Sequence, residues 1–341
     1  MKAIVHCAYG PADKVLELRE IDVPTPRSDE VLVHVRAASV HPDVWHVLEG
    51  LPYVVRLFGN GVTKPKKLVP GTDLAGVVEA VGANVTRFKV GDEVFGESTP
   101  MAWWNGGAYA EYAAVPEKFL VHKPANISFE EAAAVPTSGF IAMNNVQRLE
   151  LHGPGQNVLI NGAGGCVGTL ALQIAKAKGA RVTAVDRADK LAMLRALGAD
   201  RVIDYTKEDF LRGGERYDLI LDVASNLSPD VCKPALAETG DYMQIGHAHF
   251  GRAPGRNGGR IVGSLPYFVW LLIRTMLDPE KRKNFKIPDR QEVMLKFKAL
   301  IESGQLKPPI GKTFTLAEVP EAMRCMLEER VIGRIIVTPA R

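Results

Sequence analysis

The apolar positions of this chain change their period once. Up to about residue 125 they fall in short runs separated by Gly and Pro: KAIVHCAY (2–9), VLELREIDVP (15–24), EVLVHVRAASV (30–40), GVVEAVG (76–82) and GDEVFG (91–96). Runs of this length closed by turn residues predict strands, so this part reads as a β-rich, partly barrel-like lobe. From Asn157 onward the runs alternate with amphipathic stretches: NVLIN, VGTLALQIAKAKGA, RVTAVD, KLAMLRALGAD, RVIDY and YDLILDVA. Strand and helix alternating at this spacing predict βαβ units. Strands with so little polar alternation predict a parallel sheet covered by helices on both faces. The tail ends in IIVTP, similar in composition to the opening strands, and is expected to return to the first lobe. The predicted class is α/β, with a doubly wound parallel-sheet domain over about 126–305. The β-rich lobe covers 1–125 and is completed by about 306–341.

The segment NVLINGAGGCVGTLALQIAKAKGA (157–180) carries the most chemistry. An apolar strand runs into Gly162, Gly164, Gly165 and Gly168 and then directly into a helix. Glycines at this turn permit the tight backbone, let a pyrophosphate reach main-chain N–H groups, and let helix and strand pack closely. The helix N-terminus adds unpaired donors and a partial positive charge. A glycine motif between a strand and a helix of a βαβ unit predicts a dinucleotide site on a Rossmann domain. No Gly-Lys-Ser/Thr follows, which argues against a mononucleotide loop. Loop residues Ala163, Cys166 and Val167 belong to the same expected site. Cys166 reads as a small filler, with oxidation sensing as its alternative.

The next strand ends at Asp186, eighteen residues beyond Gly168. An acid there hydrogen-bonds ribose hydroxyls and repels a 2′-phosphate, favouring NAD. Arg187 and Lys190 follow at once and offer charge-assisted partners for that phosphate. The cofactor expectation is therefore NAD(P), leaning to NADP. Tyr205, Val223 and Gly246, at or just beyond the ends of later strands, complete the expected cofactor contacts.

Composition narrows the function classes. The 42 Lys and Arg against 39 Asp and Glu leave a net charge of +3, too balanced for a nucleic-acid surface or a polyanionic substrate. A small-molecule substrate fits better. The four cysteines, Cys7, Cys166, Cys232 and Cys325, are scattered, so neither a disulfide framework nor a cysteine zinc lobe is expected. A reducing, cytoplasmic setting is the matching expectation, and the N-terminus lacks a secretory pattern. The apolar stretch Ile261–Leu277 is close to bilayer length but contains Pro266 and Arg274. It is expected to be a buried or partner-facing helix rather than an integral membrane segment. The basic group Lys281, Arg282, Lys283 after it leaves peripheral membrane association open.

The runs GQNVLINGAGGCVGTLALQIAK, PGTDLAGVVEAVG, GDEVFG, GGAYAEYAAVP, EEAAAVPTSG and LGADRVIDY together resemble the zinc-independent quinone oxidoreductase branch of the medium-chain dehydrogenase/reductase superfamily, which includes zeta-crystallin. The resemblance spans nearly the whole chain. It implies an N-terminal GroES-like lobe joined to the Rossmann lobe, a nicotinamide bound between them, and a homodimer. Zinc relatives place ligands where this chain has His41, Thr72 with Asp73, and Ala134. One potential ligand among these positions falls short of the three a catalytic zinc needs, so no metal is expected.

Hydride transfer is then the cofactor's chemistry, and the protein must position the substrate and stabilise developing oxyanion charge. The resemblance implies reduction of a small conjugated carbonyl, an enone, enal or quinone. In SVHPDVWHVLEGLPY (39–53) the branch's Asn and Asp positions are taken by His41 and Val44, with a new acid at Asp43. His41 is the candidate donor to the substrate oxygen, or a structural histidine. Tyr53 is a weaker donor candidate, and His46 reads as a packing residue. Asp43, Trp45, Trp103, Trp104 and Asn105 are candidate pocket residues, the adjacent tryptophans offering a flat apolar wall. Thr137, with Ser138, is placed to hydrogen-bond the nicotinamide end. Two other readings stay open: a zinc-free alcohol dehydrogenase-like enzyme, and a non-catalytic NAD(P)H-binding redox sensor or structural protein.

Overall fold

The computed structural model describes residues 1–57, 61–66, 68–99, 106–147, 149, 155–245, 259–262, 266, 269–270, 273, 276–277, 289–328 and 331–339. Strands β1 (Lys2–His6) and β2 (Leu16–Glu20) form an antiparallel ribbon. The second is shorter than the run 15–24 predicts.

The larger sheet is built from β3 (Glu30–Ser39), β4 (Asp73–Val81), β5 (Glu93–Glu97), β6 (Tyr112–Pro116) and β7 (Leu120–His122). It also takes the late strands β13 (Ile310–Thr315) and β14 (Arg334–Thr338). Its order is β13-β14-β3-β4-β5-β7, with β6 also on β3. β14 lies antiparallel to β3, with Ile336 opposite Ser39. The tail therefore returns to the first lobe, as its composition predicts. A helix α1 (Pro42–Glu49) follows β3 directly. His41 caps it, Pro42 opens its first turn, and Gly50 closes it in the left-handed region at φ 59°.

Between the sheets run α2 (Phe129–Ala133) and α3 (Pro136–Val146). The parallel sheet follows, with β8 (Asn157–Asn161), β9 (Arg181–Asp186), β10 (Arg201–Asp204), β11 (Tyr217–Asp222) and β12 (Leu236–Gln244) in the order β10-β9-β8-β11-β12. Helices α4 (Cys166–Ala177) and α5 (Leu191–Ala196) connect its first three strands. The order reverses at β8, where the chain moves outward to β9 on one side and resumes at β11 on the other. That reversal opens a crevice at the carboxyl ends of β8 and β11, the place where such sheets bind ligands. Helices α6 (Arg290–Glu302) and α7 (Val319–Leu327) follow.

One hydrophobic core crosses both sheets. Val158, Ile160 and Leu219 of the parallel sheet belong to the same buried cluster as Ala37, Ala75, Phe95 and Ile336 of the antiparallel one. The continuous core fixes the crevice relative to the first lobe.

The apolar stretch 261–277 is expected to be a buried or a partner-facing helix, and its exposure bears on the first of these. Its described residues Ile261, Val269, Trp270, Ile273, Met276 and Leu277 are exposed, so this is not a buried helix. Periodicity identifies an apolar face without saying what the face meets. Among the described residues no helix is long and apolar enough to cross a membrane.

Candidate active site

The glycine loop begins where β8 ends. Gly162 has φ +78°, and its N–H and that of Ala163 donate to the Val185 carbonyl at 3.0 and 3.1 Å, pinning the turn to β9. The four glycines do different work. A Cβ on Gly168 would sit 2.5 Å from the Gly162 oxygen, so this glycine lets helix pack on strand. A Cβ on Gly164 would meet Lys190 Cδ at 2.5 Å and Asp186 Oδ2 at 2.9 Å. A Cβ on Gly165 would meet only the Gly162 oxygen, at 3.4 Å. Gly165 is the N-cap of the twelve-residue α4 and therefore leaves an open cradle at a helix N-terminus. This is the fit a pyrophosphate needs, with close backbone approach and a partial positive charge behind it.

Asp186 is engaged within the protein. Its Oδ2 accepts from Gly164 N at 2.7 Å, and its Oδ1 accepts from Arg187 N at 2.9 Å and lies 3.3 Å from Lys190 Nζ. Lys190 is buried against it. Arg187 pairs with Asp189 at 3.1 Å. Both expected cations thus have acidic partners. Tyr205 is half exposed and, with Asn161, Asn226 and Leu227, lines a hollow of about 360 Å³ beside the loop. Behind it the fully buried Asp222 accepts from Asn161 Nδ2, Ser225 N, Leu227 N and Tyr242 OH, at 2.8 to 3.0 Å. Val223 N donates to the Asn161 carbonyl at 2.9 Å. This hub holds the far wall of the crevice, and the sequence reading missed it.

A second polar cluster lies where the lobes meet. Arg334, at the start of β14, is 2% exposed. It donates to Ser138 Oγ at 2.7 Å, Ser39 Oγ at 2.8 Å and Asp73 Oδ2 at 2.9 Å. Asp73 also accepts from Thr137 N at 3.2 Å and Thr137 Oγ1 at 2.5 Å. The same Thr137 oxygen lies 2.9 Å from Glu97 Oε1, and Glu97 pairs with Arg290. Burial pushes the Glu97 carboxyl above its usual value, with Asp73 adding to the rise and Arg290 opposing it. The single Thr137 hydroxyl hydrogen serves one of these two carboxylates at a time. Tyr109, also buried, donates to the Ser39 carbonyl at 3.1 Å. Cys166, the first residue of α4, interacts with the Arg334 guanidinium, so the cluster abuts the glycine loop.

His41 Nδ1 accepts from Asp43 N at 3.1 Å and lies 3.3 Å from Asp43 Oδ2. In the neutral ring that acceptor role leaves the proton on Nε2. Once protonated, the ring can turn the same Nδ1 into a donor to the Asp43 carboxylate. His41 therefore has a partner in either state, which is what a proton-relaying imidazole requires.

The expected site residues do not all converge. Tyr53 is 44% exposed, and with Val54, Leu57, Val62, Ile261 and Val262 it lines a separate cavity of about 430 Å³. Arg56 sits 4.7 Å above its ring and also contributes to that wall. Trp45 packs on His46 with ring centroids 4.9 Å apart and joins the core of the first lobe. Thr137 and Ser138 are bonded into the Arg334 cluster. Trp103, Trp104, Asn105 and Gly246 lie outside the described residues.

The positions at which zinc relatives carry ligands do not fit that metal. His41 is turned toward Asp43, Asp73 is bound by Arg334 and Thr137, and Ala134 has no donor. Among the described residues no group of three or more His, Cys, Asp or Glu side chains is placed to hold a metal ion.

Comparison with known proteins agrees with this architecture. The family described as alcohol dehydrogenase GroES-like domain matches residues 27–125, and that described as zinc-binding dehydrogenase matches residues 197–337. The chain is 31% identical to the chloroplast envelope quinone oxidoreductase homolog of Arabidopsis thaliana, over 99% of this chain and 98% of that protein. It is 32% identical to the NADPH-dependent alkenal/one oxidoreductase, chloroplastic, of the same plant, over 99% of this chain and 80% of that protein. The quinone oxidoreductase structure from Coxiella burnetii superposes with a TM-score of 0.77 at 26% identity, covering 100% of this chain and 99% of that one. With Rossmann and GroES-like sheets joined as in these oxidoreductases, the chain belongs to the quinone oxidoreductase branch of the medium-chain dehydrogenase/reductase superfamily.

Proposed function

We propose that this protein reduces a small conjugated carbonyl, an enone, enal or quinone, at the expense of NADPH and without zinc. The observation that carries the reading is the open face of Gly165 at the α4 N-terminus, set against a polar cluster whose carboxylate is already bound by Arg334. The relatives named as quinone and alkenal/one oxidoreductases support the substrate class. The bound nicotinamide supplies the hydride. Reduction of a conjugated carbonyl places negative charge on oxygen, and a hydrogen-bond donor suffices to stabilise it. His41 Nε2 is the proposed donor, with Asp43 behind the ring. Thr137 and Ser138, held by Asp73 and Arg334, would fix the wall facing a bound nicotinamide end.

The lean to NADP rests on Asp186. A carboxylate that accepts from Gly164 and is neutralised by Lys190 repels a 2′-phosphate less than a free one. The relative named as NADPH-dependent points the same way. Scattered, free cysteines support a reducing, cytoplasmic setting, and the resemblance supports a homodimer, which sedimentation would check.

The test is turnover of a panel of quinones, enals, enones and alcohols with NADPH and NADP. Consumption of NADPH with conjugated carbonyls is expected. Reduction of NADP by alcohols alone would support the alcohol dehydrogenase reading, and binding without any turnover the non-catalytic one. His41→Phe is expected to lower kcat by about 10² with little change in NADPH affinity, the usual scale of a lost acid or donor. Unchanged turnover in folded protein would remove His41 from the chemistry.

A further inference from the structure

Residues 252–286 carry eight Lys and Arg and two Asp and Glu. This one segment has a surplus of six positive charges, while the rest of the chain is net negative by three. Among the described residues, the same segment holds the largest concentration of exposed apolar side chains. The described residues Pro266, Val269, Trp270, Ile273, Met276 and Leu277 are helical and exposed, and they recur along the sequence at three- and four-residue spacing. Ile261 is 68% exposed, and across the cavity it shares with the first lobe Leu57 is 70% exposed. A monomer rarely leaves so many large apolar groups together in water without a use for them.

The charge decides what the face meets. A second copy seated symmetrically would bring two strongly basic segments together, and like-charge juxtaposition opposes association. An anionic bilayer satisfies both features. Apolar side chains enter the boundary between headgroups and acyl chains, Lys and Arg meet lipid phosphates, and Trp sits at headgroup depth. Pro266 and Arg274 make the segment unsuited to crossing the hydrocarbon, so it would lie along the surface.

We propose that the face carrying Ile261, Val269, Trp270, Ile273 and Leu277, with the basic run Lys281, Arg282, Lys283 beyond it, docks this protein peripherally on an anionic lipid bilayer. The proposal stands apart from the reaction catalysed. The full-length protein is mixed with sucrose-loaded vesicles of phosphatidylcholine, alone or with about 30% phosphatidylserine, and sedimented at low salt. Binding to the anionic vesicles at least about tenfold stronger than to neutral ones is expected, falling when NaCl is raised to about 0.5 M. The charge reversal Lys281→Glu/Arg282→Glu/Lys283→Glu should abolish the preference for anionic vesicles. The pair Trp270→Glu/Leu277→Glu should lose most of the remaining binding, with an unchanged circular dichroism spectrum and unchanged turnover of a water-soluble substrate. Equal or absent binding to the two vesicle types overturns the proposal. So does charge reversal without effect, and so does a dimer that the Trp270/Leu277 variant turns into monomers, which would assign the face to a second copy.

Discussion

The glycine loop and the Arg334 cluster meet at Cys166, yet they are built on opposite principles. The loop is local and made of backbone. Gly162 to Gly168 lie within one strand-to-helix turn, and the feature that matters is space, the absence of a Cβ on Gly165. The cluster is non-local and made of side chains. Arg334 reaches Ser138, Asp73 and Ser39 across 196, 261 and 295 residues of sequence, and its value lies in being fully enclosed. An open, donor-rich backbone suits a ligand that comes and goes. A buried ion pair suits a fixed wall, because either charge left alone there is costly.

The largest effect should come from breaking the wall. Arg334→Met leaves Asp73 buried and unpaired, and a loss of about 3–5 kcal/mol in urea or thermal unfolding is expected. The double replacement Asp73→Leu/Arg334→Met should recover most of that loss. A double variant no better than the single one would show that the cluster is held by packing rather than by charge.

The loop should respond the other way, in binding rather than stability. Gly165→Ala fits the free protein, since its Cβ meets only the Gly162 oxygen at 3.4 Å, so the melting temperature should hold. NADPH affinity should fall by at least about tenfold, 1.4 kcal/mol, because the added methyl fills the seat of the pyrophosphate. Unchanged affinity by fluorescence titration would move the nucleotide away from this loop.

The smallest effect concerns Glu97, whose carboxyl burial raises. A raised acid favours its protonated form in the fold, so its contribution is present below its ordinary value and is lost as pH rises toward the raised one. Unfolding free energy should decline over that window, and Glu97→Gln should flatten the decline. An equally steep profile in the variant would place the titration elsewhere.

What the sequence made legible follows the same division. Glycine spacing, the strand and helix alternation, and the returning tail are short-range patterns, and the structure has them. Arg334 reads locally as a basic residue opening an apolar strand, and nothing near it names Asp73 or Ser39. Thr137 was legible as a polar residue entering the second lobe, but its partner Asp73 is 64 positions away, so its hydrogen bonds were not. Tyr53 and His41 lie on one continuous stretch, yet α1 and the residues after it carry Tyr53 into a different cavity. The stretch 261–277 shows the limit most clearly, since its period marks an apolar face without saying whether the fold or a partner covers it, and its described residues are exposed.

The reduction proposed for this chain couples its glycine loop to a conjugated carbonyl without a metal. Chelator-treated protein, shown by elemental analysis to hold no zinc, is given NADPH with an enone, and the product is identified by mass spectrometry. A product two hydrogens heavier than the enone is expected, formed one for one with NADPH consumed, at a rate that added zinc does not raise. No product from any enone, enal or quinone, or turnover only after zinc is restored, would contradict it.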